Sequence, residues 1–114
     1  MDGGSAGLKT LAERAREARE GLALALAGLD RDLAGYARRE GGRFIRYGST
    51  ATGRATPRSD VDIVADFPDE RVGEACRYAD RACLDRGLLP DVRPAGWCSA
   101  RLIERALAEG VALP

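Results

Sequence analysis

The 114-residue sequence predicts an α+β fold, a small mixed β-sheet with helices packed on one face. Two observations carry this. Apolar residues at three- and four-residue spacing run through the first third of the chain, and short β-type runs then follow in the order strand, strand, helix, strand.

The stripe is Leu8, Leu11, Ala15, Ala18, Leu22, Leu29, Leu33 and Tyr36, with charged residues between, and it reads as one long amphipathic helix or two in succession over about 8–40. Gly21, Gly28 and Gly35 recur within it on nearly one face, each costing about 1 kcal/mol relative to alanine. They mark either a break or a surface that a partner's helix, or that of a second copy in a homo-oligomer, could approach closely. Gly41 and Gly42 punctuate the helix end, and Arg43–Tyr47 has the character of a first strand. Residues Gly48 to Ser59, rich in Gly, Ser, Thr and Pro, form a connecting loop before Val61, Ile63 and Val64 alternate with Asp60, Asp62 and Asp66 as a second strand. Pro68 and Asp69 open a helix that reaches about Arg86 and closes at Gly87, and Leu88 to Val92 make a third strand before Pro94. Ser99 can cap a last helix with the stripe Leu102, Ile103, Ala106 and Leu107, followed by Gly110 and an edge segment, Val111 to Leu113.

A hydrophobic content of 45% suffices for one compact core, so residues 1–114 are expected to form a single domain. Its 18 basic and 18 acidic residues cancel and create no field that would draw nucleic acid or anionic lipid. The opening MDGGSAGLKT lacks a secretory pattern, and the longest apolar run, Gly21 to Leu29, is too short for a bilayer, so no membrane role and a cytoplasmic location are expected. Cys76, Cys83 and Cys98 are odd in number with no histidine in the chain, which argues against a disulfide framework and a zinc site. The lack of histidine also excludes serine-histidine and cysteine-histidine catalysis, and leaves the work to carboxylates and arginines.

Residues Gly48 to Asp62 read GSTATGRATPRSDVD. Asp60 and Asp62, two apart on a strand, point to one face with alpha carbons roughly 6.5 to 7 Å apart, a spacing at which paired carboxylates repel unless a cation lies between them. Gly48 and Ser49 directly follow a strand, where glycine allows close backbone approach and amides and a hydroxyl can bind phosphate oxygens. The spacing Gly48, four residues, Gly53 approaches a P-loop, but Arg54 and Ala55 stand where that motif needs lysine and a hydroxyl.

Together, Gly48-Ser49, the Gly-containing stretch and Ser59-Asp60-Val61-Asp62-Ile63-Val64 resemble the signature of the polymerase beta type nucleotidyltransferases. The resemblance runs from about Phe44 to the C-terminus and implies the polymerase beta-like fold. It implies a third catalytic aspartate, for which Asp91 in Leu88-Leu89-Pro90-Asp91-Val92-Arg93 suits in type and place. Asp60, Asp62 and Asp91 would hold two magnesium ions and carry catalysis, while Gly48 and Ser49 would grip the phosphates of a nucleoside triphosphate such as ATP. Two departures stand out: Thr52 replaces a basic residue common before the Gly53 position, and Pro90 precedes the third aspartate. Arg54 and Arg58 could supply the missing positive charge for nucleotide binding.

The short C-terminal part is similar to the minimal nucleotidyltransferases, and no room is expected for a domain that grips the acceptor. Family members of this size resemble antitoxins paired with a helical HEPN toxin, which implies adenylylation of a tyrosine of that partner. A nucleotidyltransferase acting on a small molecule and an antitoxin that neutralises its partner by binding alone are the alternatives.

Overall fold

The computed structural model describes residues 8–114; the first seven, part of the stretch read as lacking a secretory leader, lie outside the described residues. Helix α1 spans Leu11–Glu40 as one unbroken helix. Thr10 caps it, its hydroxyl accepting from the Glu13 amide at 2.9 Å while the Glu13 carboxylate accepts from the Thr10 amide at 3.2 Å. It ends at Gly41, whose left-handed backbone lets its amide donate to the Ala37 carbonyl at 2.9 Å. None of the three internal glycines breaks it. Gly28 is buried, and a β-carbon there would stand 3.1 Å from the Arg86 Nε. Arg86 is itself ion-paired to Asp32, so the middle of the glycine face is covered by the protein's own guanidinium and is not open to another helix.

Strands β1 (Arg43–Tyr47), β2 (Asp60–Asp66), β3 (Leu89–Pro94) and β4 (Val111–Leu113) form one mixed sheet in the order β3-β2-β1-β4. β1 pairs antiparallel with both β2 and β4, whereas β2 and β3 are parallel. A parallel pair needs a crossover, supplied by α3 (Asp69–Leu84). The short helix α2 (Ser49–Thr52) interrupts the expected loop after β1, and α4 (Ala100–Glu109) precedes β4.

Strand alternation sorts the side chains into two layers. Phe44, Val61, Ile63 and Ala65 turn toward α1 and α3 and make the main core with Leu29, Leu33, Ala75, Ala79 and Cys83. Tyr36 stacks on Tyr78 at 4.3 Å and meets the Phe44 and Phe67 rings, closing this core at one end. Ile45 and Val64 turn to the other face, where Ala106, Leu102 and Ile103 of α4 cover them. α4 covers only part of that face.

β3 runs on through Pro94, two residues past the expected end. As an edge strand it tolerates prolines at positions 90 and 94, whose missing amides can fall on the unpaired side. The cysteines are free thiols; burial pushes Cys83 up to about 11 and also raises Cys76 and Cys98, which disfavours the thiolate in all three. Among the described residues, no helix is long and apolar enough to cross a membrane.

Candidate active site

On the part of the sheet that α4 leaves open, the register sets Asp62 of β2 directly beside Asp91 of β3 and, on its other side, opposite Tyr47 of β1. Asp60 lies on the same face at the exposed start of β2. Pro90 does not displace Asp91 from this arrangement, because it pairs with Val61 one position earlier and turns the other way. Asp62 is half-buried. Its carboxyl is pushed up from 3.8 to about 6 by burial first, then by a hydrogen bond with Asp91 and by the negative charges of Asp91 and Asp60. Burial, then Asp62, also raises the Tyr47 hydroxyl.

Asp91 has a second neighbour. Arg93, two residues on along β3 and on the same face, donates to its carboxylate at 3.3 and 3.5 Å. Accordingly, among the described residues no three acidic, histidine or cysteine side chains converge closely enough to hold a metal ion: Asp62 meets Asp91, Asp91 meets Arg93 and Asp60 stands in solvent. Three carboxylates with no cation among them repel, and Arg93 takes up one of the charges. The donors are nevertheless all hard oxygens on one face of adjacent strands, and the mutual repulsion that raises Asp62 is what a divalent cation would relieve, so the set fits magnesium in chemistry.

Gly48 ends β1 against this cluster. Its backbone angles, φ 74° and ψ −154°, belong to a region used essentially by glycine alone, and a β-carbon would collide with the Asp62 carboxylate. The Gly48 carbonyl accepts from the Ala51 and Thr52 amides at 3.0 and 3.2 Å, and Gly53 reverses the chain. The Ser49 and Thr50 amides, first in the turn, have no carbonyl of α2 to donate to. The loop returning to β2 is tied by the Thr56 amide donating to the Ser59 hydroxyl at 2.9 Å, which anchors the residue preceding Asp60. A cavity of about 330 Å³ adjoins Gly48, between Tyr47 and the Ser99, Arg101, Leu102 and Arg105 face of α4.

The structure thus brings Asp62, Asp91 and Gly48 together, with Asp60 and Ser49 adjoining. Arg54 and Arg58 stand exposed on the loop between α2 and β2, with no side-chain partner among the described residues. Sequence reasoning did not single out Tyr47 or Arg93, although each had a signal. Tyr47 immediately precedes Gly48, and Arg93 stands at the same two-residue spacing from Asp91 as Asp62 from Asp60.

One consequence is a pH-dependent affinity for divalent ions. A carboxyl titrating at about 6 is mostly protonated at pH 5, so manganese binding, read by calorimetry, should weaken about tenfold from pH 7 to pH 5. Asp62→Asn should flatten that slope. A parent profile already flat over this range would remove Asp62 from the ligand set.

A family model described as a nucleotidyltransferase domain matches residues 31–109, more than half of the chain and inclusive of every strand residue of this cluster. Neither the curated proteins nor the solved structures give a match.

Proposed function

The chain belongs to the nucleotidyltransferase domain family, and on that footing we propose that it transfers a nucleoside monophosphate, AMP from ATP, to an acceptor hydroxyl with two magnesium ions held by Asp60, Asp62 and Asp91. The observation that carries the reading is the meeting of Asp62, Asp91 and a Gly48 that admits no side chain, which places a carboxylate cluster against a turn with unpaired amides. Bound divalent ions would neutralise the triphosphate and acidify the acceptor hydroxyl. The protein's own groups supply the rest. Gly48 and Ser49 let the leaving pyrophosphate lie close to the backbone, and Arg54 and Arg58 at the loop add positive charge there. Asp91 takes the acceptor proton as the acceptor oxygen attacks the alpha phosphorus in line and the bond to pyrophosphate breaks. The cavity beside Gly48, with Leu102 and Ala106 among its walls, has room for the nucleoside.

The acceptor in this proposal is a tyrosine of a helical HEPN-type toxin, and the protein is its antitoxin. A second reading, neutralisation by binding alone, draws on α1. Its N-terminal half is exposed throughout residues 11–21, and Leu11 and Leu24 are 82% and 75% exposed. Incubation with magnesium, α-labelled ATP and the product of the neighbouring gene separates the readings. Label on a partner tyrosine, lost in Asp62→Ala, is the expected result. A tight complex that protects against the toxin without label, equally well in Asp62→Ala, would establish the binding-only role, and label in a low-molecular-weight product would establish a small-molecule acceptor.

A further inference from the structure

We infer that Arg46 and Asp30 are a positioning pair that holds the Gly48–Ser49 turn in the form that receives triphosphate; this rests on the nucleotidyl-transfer reading above. Arg46 lies on β1, on the side of the sheet that packs under α1, and is only 6% exposed. Its neighbours on that side are Phe44 of its own strand and the apolar core of α1. A guanidinium there carries a large desolvation cost, and an apolar residue of similar length would fill the space at less expense to the fold. What an apolar residue lacks is the fork of donors, and Arg46 uses it on two separate elements. Nε and Nη2 donate to the two oxygens of Asp30 on α1 at 2.8 and 2.7 Å. Nη1 donates at 2.7 Å to the main-chain carbonyl of Thr50, the second residue of α2.

That third bond falls where the chain cannot hold itself. α2 is four residues long, below the length at which helical hydrogen bonds sustain a helix, so its form must come from tertiary anchors. On one side Gly48 is pressed against Asp62. On the other, Thr50 is buried, its hydroxyl without any partner, and its carbonyl is drawn down to Arg46. The Ser49 and Thr50 amides lie between these two fixed points. Arg46 touches neither the carboxylates nor the open face, since Tyr47 and Arg46 alternate across the sheet. Its action passes through the Thr50 carbonyl. Asp30, in turn, orients the guanidinium through a bidentate contact that leaves Nη1 free for Thr50.

The test separates positioning from bulk stability. In the paired variant Asp30→Leu with Arg46→Met, the buried charges are gone together and the volume is kept, so the fold should melt close to the parent. Magnesium tripolyphosphate, a probe that fills the turn without a nucleoside, should nevertheless bind about tenfold or more weakly by calorimetry, and KM for ATP should rise by a similar factor while kcat changes less. Arg46→Lys keeps the charge but cannot span three acceptors, and should fall between parent and paired variant in tripolyphosphate affinity. This second variant retains the ion pair, and carries the test should the paired one fail to fold. Folded variants that bind tripolyphosphate as the parent does would overturn the positioning role and leave Arg46 a structural residue. A parent that binds neither tripolyphosphate nor ATP would overturn the nucleotidyl-transfer reading and this inference together.

Discussion

Asp62→Ala should reduce nucleotide transfer by roughly a thousandfold or more while leaving a protein that folds at least as well as the parent without metal. The loss follows from removing a ligand in a reaction whose acceleration comes from charge neutralisation; several kcal/mol of transition-state stabilisation, at about 1.4 kcal/mol per tenfold, reaches that size. The retained fold follows from the titration of the same carboxyl. Asp62 titrates at about 6 in the folded protein against an ordinary 3.8, so the folded state binds the proton more tightly than the unfolded chain. The stability linked to that proton is fully present below about pH 4 and is lost as pH rises through about 6. At pH 7 the ionised Asp62 therefore works against the fold, and Asp62→Asn, isosteric and uncharged, should melt higher than the parent at pH 7 and converge with it near pH 4. Thermal melts across this range in chelator, beside transfer assays with magnesium, decide the matter. A variant that melts well below the parent at pH 7 would mark Asp62 as a structural hydrogen-bond acceptor and weaken the metal-site reading. Asp60→Ala should lose transfer likewise, with a smaller effect on melting because Asp60 is exposed.

Gly48→Ala should also cost transfer about a hundredfold, and this variant should be destabilised as well. Two penalties meet at one methyl group. The backbone at φ 74° and ψ −154° is strained for any residue with a β-carbon, on the order of 1–3 kcal/mol, and the new carbon strikes the Asp62 carboxylate. Relief requires the turn to move away from β2, which separates the Ser49 and Thr50 amides from the carboxylates, and displacements near an ångström are enough to cost two orders of magnitude. Gly48→Ala combined with Asp62→Ala removes the steric half only. Its melting temperature should recover more than the two single effects predict when summed, while transfer stays lost. If Gly48→Ala alone bound ATP and transferred nucleotide like the parent, the turn would be an ordinary chain reversal. Ser49→Ala, which leaves the backbone alone, should weaken ATP binding more mildly.

The aspartate pair was legible in the sequence because it depends on a local rule. Asp60 and Asp62 share a face whatever the rest of the chain does, once Val61, Ile63 and Val64 make the segment a strand. Gly48 was legible for a similar reason, as a glycine at the end of a strand. Asp91 was placed only through family resemblance, since nothing near it in sequence states that β3 lies parallel to β2 with Asp91 level with Asp62. The same limit hid the partnership of Arg46 with Asp30, sixteen residues earlier and on another element. Arg43 and Arg46 look alike in a strand of alternating character, yet Arg43 pairs with Asp66 near the surface and Arg46 is buried. α2 escaped notice because Ser-Thr-Ala-Thr has no helical period and weak helical propensity, and tertiary contacts impose its form. The third strand was expected to stop before Pro94, a rule valid for a central strand, which the edge position of β3 sets aside.

The length of α1 divides one element between two regimes of opening. Between Gly28 and Ala37 the helix is held by Gly28, Leu29, Leu33, Ala34 and Ala37 packed into the core, and the amides of that stretch should exchange with solvent only when the core itself comes apart. Over residues 11–21 nothing outside the helix covers it, so those turns rest on the Thr10 capping box and on ion pairs such as Arg16 with Glu20, and they can fray one turn at a time at small cost. The free end reaches outward along a molecule whose extents are 62 × 26 × 17 Å. Any macromolecule that seizes it meets a helix already formed but cheaply reshaped, while the packed half keeps Asp30, and through it the Gly48–Ser49 turn, out of reach of that adjustment.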